Sequence, residues 1–353
     1  MFLTDLPIPE LYNEQLQLFT PENIHEVLIG KFNPEETIAA IIANEGQSIM
    51  GIDVGGDKID CITFSIKNHD LVPDIKSMQT MQSESGKGYV AFLEKIAKEA
   101  SEHPLPIGLA FGGGQTNADG TIAFAPNVSV FAEELTKKYN DFYNLLPTLT
   151  AIPPDDTVSG LMAGAVEAKK RFPEKKNIMF VINGSGLAIG ILKEEHIILT
   201  EIGHTPIIRK LNLGQTRPCE VFGSHVCLER VAASKVGIED LWFKKTTHAL
   251  DGKSISRKYI EGNTIATTLY NNSANITAHA MLGIAKLYNL LQKENDTVII
   301  YHGGTFQVPG YQERIKQILE KNIPIHPQTL LTSEFSQNAC AQGAALAALT
   351  HFT

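Results

Sequence analysis

The sequence predicts an α/β protein built as two lobes. At 353 residues the chain is longer than one simple hydrophobic core usually organises. A strand, glycine turn and second strand occur at 48–64 and again at 177–192, which suggests an internal duplication. Between and after these hairpins lie apolar runs ending in glycine turns, separated by stretches of helical spacing.

Composition narrows the class further. Hydrophobic residues make up 43% and charged residues 20%, as in ordinary soluble globular proteins. A net charge of −9 argues against a general nucleic-acid binder, because phosphate backbones demand Lys and Arg. No apolar run reaches the roughly 18 to 20 residues that span a bilayer. Met-Phe-Leu-Thr-Asp-Leu-Pro at the start has no basic region and no signal-peptide core. Four cysteines in this length do not make a disulfide framework, so a reducing, cytoplasmic setting is expected.

Residues 1–47 hold eight acidic residues and one basic residue, Lys31. They are expected to form a helical extension packed on the body, with short helices near 22–31 and 35–44. A DNA-reading helix-turn-helix would need basic residues that this segment lacks. Ser48 to Phe64 reads as a hairpin around Gly55-Gly56. It is either a plain hairpin or one whose turn lets backbone amides approach a phosphate. Asp53, at the end of the first strand, could hold Mg²⁺ through water.

Gly86 to Glu102 has helical spacing at Tyr89, Phe92, Leu93 and Ile96. Residues 106–111 form a short apolar strand, followed by Gly112-Gly113-Gly114 and a turn at Asn117-Ala118-Asp119-Gly120. Asn127, behind Pro126, is a turn residue or a reader of hydroxyls. Pro153 and Pro154 enforce an extended approach to Asp155-Asp156-Thr157, after which a small, helix-favouring segment begins. A carboxylate there can cap the helix, or act as general base toward a hydroxyl.

The second hairpin turns at Asn183-Gly184-Ser185-Gly186. Glu201 and His204 stand close enough to converge on one ligand. Cys219, His225 and Cys227 have spacing that could bind zinc, or are buried free thiols with a nearby histidine. Residues 240–272 read as partly helical, and Ser273 to Gln292 as a long helix with Ser273 as N-cap. Thr297 to Tyr301 is a buried strand ending in the turn His302-Gly303-Gly304-Thr305. Helices are expected at 310–321 and at 337–349, the latter rich in small residues.

Together these residues resemble the ROK (repressor, ORF, kinase) family of sugar kinases, within the actin-like ATPase and hexokinase superfamily, over about 49–350. Asp53-Val54-Gly55-Gly56-Asp57-Lys58 is similar to the first phosphate motif, with Asp57 where Thr is usual. Asn183-Gly184-Ser185-Gly186 is similar to the second phosphate motif, and His302-Gly303-Gly304 to the adenosine motif. Asp155-Asp156 matches the family's Asn-Asp pair, Glu201-Ile202-Gly203-His204 its sugar motif, Cys227-Leu228-Glu229 the end of its cysteine-rich motif, and Pro126-Asn127 a sugar-contacting loop.

The resemblance implies two actin-like (ribonuclease H-like) lobes with a central cleft. It divides the chain into a 1–47 extension, a small lobe of 48–157 plus 338–353, and a large lobe of 158–337. It implies ATP-dependent phosphorylation of a hexose, with Asp156 as general base and Asn127, Asp155, Glu201, His204 and Glu229 around the sugar. Gly55, Gly56, Asp57, Lys58, Gly184, Ser185, Gly186, Gly303 and Gly304 would meet ATP, and Asp53 would meet Mg²⁺. Of the family's zinc ligands, His204, Cys219 and Cys227 are present. The middle cysteine is missing near Val221 and Phe222, so the set is one thiolate short unless His225 substitutes. A homodimer is expected. The competing readings are a sugar-binding regulator with weak or no catalysis, and an N-acetylmannosamine-type kinase.

Overall fold

The structure, a computed structural model, describes residues 17–55, 58–75, 77–82, 91–92, 94–96, 98–99, 105–112, 115–116, 122–124, 155–207, 217–219, 225–291, 296–323 and 327–351. The chain forms two compact units. Unit 1 comprises Met1–Gly30 with Lys175–Leu331, and unit 2 comprises Lys31–Glu174 with Thr332–Thr353.

In unit 2 the first hairpin pairs β2 (Ser48–Val54) with β3 (Lys58–Lys67), antiparallel, so that Asp53 stands opposite Asp60. The Gly55 amide closes the turn on the Lys58 carbonyl at 2.8 Å. β4 (Asp70–Pro73) and β5 (Gln79–Gln82) flank β3, and β6 (Ile107–Phe111) runs parallel to β2. Ile49, Ile52, Val54, Leu109 and Phe111 are buried, as the near-continuous apolar runs demand. β7 (Gln115–Thr116) and β8 (Ile122–Phe124) form a separate antiparallel pair. Residues 91–92, 94–96 and 98–99 are helical, in keeping with the expected helix.

The helix Ala339–His351 packs on this sheet through its main chain. A methyl group added to Gly51 would lie 1.8 Å from the Ala341 carbonyl oxygen, and one added to Gly108 would lie 1.7 Å from that of Ala344. On its other side, a methyl on Gly343 would meet the Ser159 carbonyl at 1.7 Å. Ser159 belongs to the helix Asp156–Arg171, which is buried along most of its length. Asp155 caps that helix, and Lys169, Lys170 and Arg171 lie in its last turn, complementing the helix dipole at both ends. The Asp156 helix therefore groups wholly with unit 2, where the expected boundary at 157 cut through it.

In unit 1 the sheet order is β1-β11-β10-β9-β12-β13, from β1 (Val27–Lys31), β9 (Asn177–Asn183), β10 (Leu187–Lys193), β11 (His196–Thr200), β12 (Thr297–His302) and β13 (Gln328–Leu331). β9, β10 and β11 form an antiparallel meander, and β12 lies parallel to β9. This repeats the β2-β3-β4 meander with β6 parallel to β2. The same topology in both units accords with the duplication expected from the two hairpins.

Two element expectations change. Residues 27–31 form a strand rather than the end of a helix. Val-Leu-Ile favours the pleated conformation, and the edge of β11 supplies its backbone partners. The long helix begins at Thr264, capped by Asn263, and ends at Leu287, so Ser273 is a buried mid-helix residue and not its cap. An uninterrupted helix-compatible run hid the earlier start. No helix among the described residues is long and apolar enough to cross a membrane.

Replacing Gly108 or Gly343 with Ala should destabilise the protein by about 1 to 3 kcal/mol or more, because the obstructing atoms are backbone. Gly304→Ala, where a methyl would meet nothing within 4 Å, should change little. Denaturation midpoints of the three variants check this, and equal midpoints would refute the main-chain packing.

Candidate functional site

In unit 1, β11 delivers the chain into a short 3₁₀ turn, Ile202–His204, that begins just after Glu201. His204 is buried, with Nε2 3.9 Å from Glu201 Oε2 and Nδ1 3.8 Å from Glu229 Oε2. Burial, then the nearby His25, holds the imidazole down at about 4, so it is neutral at pH 7 and these approaches are not ion pairs. Glu229 starts the helix Glu229–Ala232. The Leu228 amide on the Thr205 carbonyl, at 3.1 Å, ties that helix start to the turn.

Glycines make room for the Glu229 carboxylate. A methyl on Gly203 would stand 2.9 Å from Glu229 Oε2 and 2.2 Å from the Leu187 carbonyl, and one on Gly186 would stand 3.3 Å from Oε1. Two carboxylates and a neutral imidazole thus converge. Such a set accepts hydrogen bonds from hydroxyls and can return one from the imidazole.

The N-terminal segment belongs to this construction. The Glu201 amide donates to the Ile24 carbonyl at 2.9 Å, and the Thr205 hydroxyl donates to the Asn23 carbonyl at 3.2 Å. Ile24 is fully buried, and a methyl on Gly283 would strike the Phe19 ring at 2.0 Å. Packing of this segment on the body was expected, but not the turn it meets, because the contacts to Glu201 and Thr205 use backbone carbonyls.

The three zinc-type residues do come together. One donor atom from each of His204, Cys219 and Cys227 lies within 4.8 Å of the others, and all three residues are buried. Cys219 Sγ is 3.5 Å from His204 Nδ1. His225 instead places Nε2 2.9 Å from the His204 carbonyl oxygen. Burial, then Cys219, pushes the Cys227 thiol up to about 12. A bound cation would have to displace that proton.

Unit 2 carries the carboxylates. Asp156 opens its helix, while Asp155 Oδ1 accepts from the Thr157 amide at 2.6 Å and the Val158 amide at 3.4 Å. Asp155 is thus engaged in capping, one of the two roles open from sequence. Burial, then Asp155, raises Asp156 to about 8. Burial, then Asp156, raises Asp53 to about 7. Asn338 Nδ2 donates to Asp53 Oδ2 at 3.1 Å and to Asp60 Oδ2 at 2.7 Å. Asp60, almost wholly buried, also takes the Thr80 hydroxyl at 2.7 Å and pairs with Lys58. Asp60 and Asn338 were missed. Counting across the hairpin from Asp53 would have found Asp60, whereas Asn338 lies far along the chain.

Of the residues expected at nucleotide phosphates, Lys58 is half-exposed and Ser185 exposed at its turn. The Gly184 amide bonds the Gly186 carbonyl at 3.0 Å. Gly303 has φ +111°, and a methyl there would lie 2.2 Å from the Asn183 carbonyl. Gly304 is open. Asn127, Gly56 and Asp57 lie outside the described residues, as do Gly113, Gly114, the 117–120 turn, Val221 and Phe222.

The raised Asp156 has a consequence for stability. Its unfolded-state value is near 4 and its folded value about 8. Between those pH values the folded chain binds a proton that the unfolded chain has released, so this group's contribution to stability declines as pH rises. Asp156→Asn should therefore be the more stable protein at pH 8, with the gap closing toward pH 4. Thermal midpoints across that range test it, and a gap independent of pH would contradict the raised value.

The family model described as "ROK family" matches residues 49–351. No curated protein matches the sequence significantly. Among solved structures, a ROK hexokinase from Thermus thermophilus is similar at 18% identity and TM-score 0.63, covering 85% of this chain and 97% of its own. A ROK family glucokinase from Streptomyces griseus, solved with glucose and AMPPNP, is similar at 19% and 0.59, covering 84% and 98%. A ROK family transcriptional regulator, a homologue of the E. coli MLC protein, is similar at 15% and 0.62, covering 96% and 88%. The fold is that of the actin-like ATPases, and the chain belongs to the ROK family.

Proposed function

We propose that this protein is an ATP-dependent hexose kinase with Asp156 as its general base. The observation that carries this reading is the convergence of half-buried Glu201 with buried His204 and Glu229 into a set suited to sugar hydroxyls. Asp156 remains at the start of its helix, and the family's kinases supply the reaction class. Glucose is the first substrate to test, then N-acetylmannosamine.

In the proposed reaction the Asp156 carboxylate takes the proton of the sugar hydroxyl as its oxygen attacks the γ-phosphorus of ATP. The bond to the β,γ-bridging oxygen breaks, and ADP leaves. Free Asp156 is largely protonated at pH 7, so kcat/KM should rise with pH toward about 8. Gly184, Ser185, Gly186, Lys58 and the Gly55 turn would cradle phosphates, with Gly303 and Gly304 beside the adenosine. Asp53 would hold Mg²⁺ through water, and the cation would neutralise charge on the phosphates. His204, Cys219 and Cys227 present the sulfur and nitrogen donors that suit zinc. Zinc there would brace the segment 204–229.

The deciding experiment is a coupled ATP-consumption assay over a small hexose panel. Turnover with one hexose is expected, and Asp156→Asn should lower it by about 10² to 10⁴-fold while sugar still binds. A wild-type protein that binds hexose but turns over none would favour the regulator reading. Glu229→Ala should raise the sugar KM by about tenfold or more with little change for ATP. Equal changes for both substrates would unseat Glu229 as a sugar ligand.

Zinc content gives an independent check. Elemental analysis should find less than one equivalent, because three protein ligands hold it less firmly than four. Cys219→Ala should remove what remains. A full equivalent that survives chelation would show that a further residue completes the site.

A further inference from the structure

Asn183 ends β9 and leads into the Gly184–Gly186 turn. Its side chain is fully buried. Its Nδ2 donates to Tyr311 Oη at 2.8 Å and to Thr277 Oγ1 at 3.0 Å. Tyr311 Oη also lies 2.8 Å from Ser273 Oγ and 3.1 Å from Thr277 Oγ1. The Ser273 hydroxyl gives its proton to the Ala232 carbonyl. Tyr311 must therefore donate to Ser273, and its oxygen is left to accept from Asn183 and Thr277. The hydroxyl's hydrogen-bonding capacity is thus filled, and it stands as the hub of the network.

The ring of Tyr311 does a second task. It meets Phe306 edge to face, at 5.6 Å between centroids and 80° between planes. Phe306 lies in the turn that begins at Gly303, with its amide 3.3 Å from the Gly303 carbonyl, and it stacks on Tyr301 at 4.6 Å. Gln312, the next residue along, donates to the Phe306 carbonyl at 2.8 Å. Gly303 in turn packs against the main chain of Asn183. One side chain therefore grips both glycine turns, the first through its hydroxyl and the second through its ring.

We propose that Tyr311, with Asn183 as its partner, is a positioning residue for an adenine nucleotide: it fixes the Gly184–Gly186 and Gly303–Gly304 turns at the spacing that phosphate and nucleoside require. This rests on the kinase reading above. Neither side chain need touch the nucleotide. Their work is to remove slack between two turns whose backbones would.

The test is calorimetric titration of the full-length protein with ADP. Tyr311→Phe keeps the ring contact with Phe306 and removes the hydroxyl. Loss of the hub should weaken ADP by about two- to tenfold, raise the KM for ATP in parallel, and leave the KM for the accepted hexose unchanged. A merely structural role would lower the thermal midpoint but leave the ADP affinity unchanged at temperatures where the variant is folded, and that result would overturn the proposal. If Tyr311→Phe does not fold, Thr277→Val removes one hydroxyl from the same network with little change of shape. It should weaken ADP by about two- to fivefold, and an unchanged affinity would again overturn the proposal. Wild-type protein that binds no ADP would overturn the kinase reading and this inference together. Wild-type binding with both variants equal to it would overturn this inference alone.

Discussion

Close approach of one main chain to another is the constraint on which the rest of this structure depends. In unit 2 the C-terminal helix lies so near β2, β6 and the Asp156 helix that no side chain fits at Gly51, Gly108 or Gly343. In unit 1 Gly303 rests on the carbonyl of Asn183 in the same manner. These contacts set the distances between turns and helix starts, which is where the candidate functional groups stand. Larger side chains would leave the elements in place and move the turns apart.

Electrostatics works against stability at these same places. Burial raises both Asp53 and Asp156, the charge of Asp156 adds to the rise at Asp53, and that of Asp155 adds to the rise at Asp156. Asn338 answers part of that strain by giving its amide protons to Asp53 and Asp60. Lys58 adds a positive charge beside Asp60. In the proposed reaction Asp156 accepts a proton and Asp53 meets a cation, and active sites commonly carry such a cost in stability. In unit 1 the balance is kept differently: the imidazole between Glu201 and Glu229 stays neutral, and the Gly186 and Gly203 backbones leave room for a carboxylate.

Much of this was legible in the sequence because it lies in local patterns. Both hairpins, the helix at Asp156, the strand at 297–302 and the C-terminal helix follow from apolar runs, glycine turns and capping residues. Glu201, His204 and Glu229, grouped by motif, lie near one another around the His204 ring. The long-range partners were not legible. Tyr311 reaches Asn183 across 128 positions, and Asn338 reaches Asp53 across 285. No spacing rule connects such residues. The start of the Thr264 helix was misplaced because Asn263 caps it without a break in composition before Ser273. Val27–Lys31 was misread because strand formation there depends on a partner, β11, that lies far along the chain.

That strand has a further meaning. The family match begins at residue 49, yet β1 and the buried Phe19 and Ile24 belong to the fold of unit 1. A chain trimmed to the family's span would uncover β11 as a bare sheet edge, with a row of backbone donors and acceptors in search of a mate. It would also open the apolar seat left by Phe19 and Ile24. The segment from Phe19 to β1 is in this sense part of the fold of unit 1, beyond the span that the family model matches.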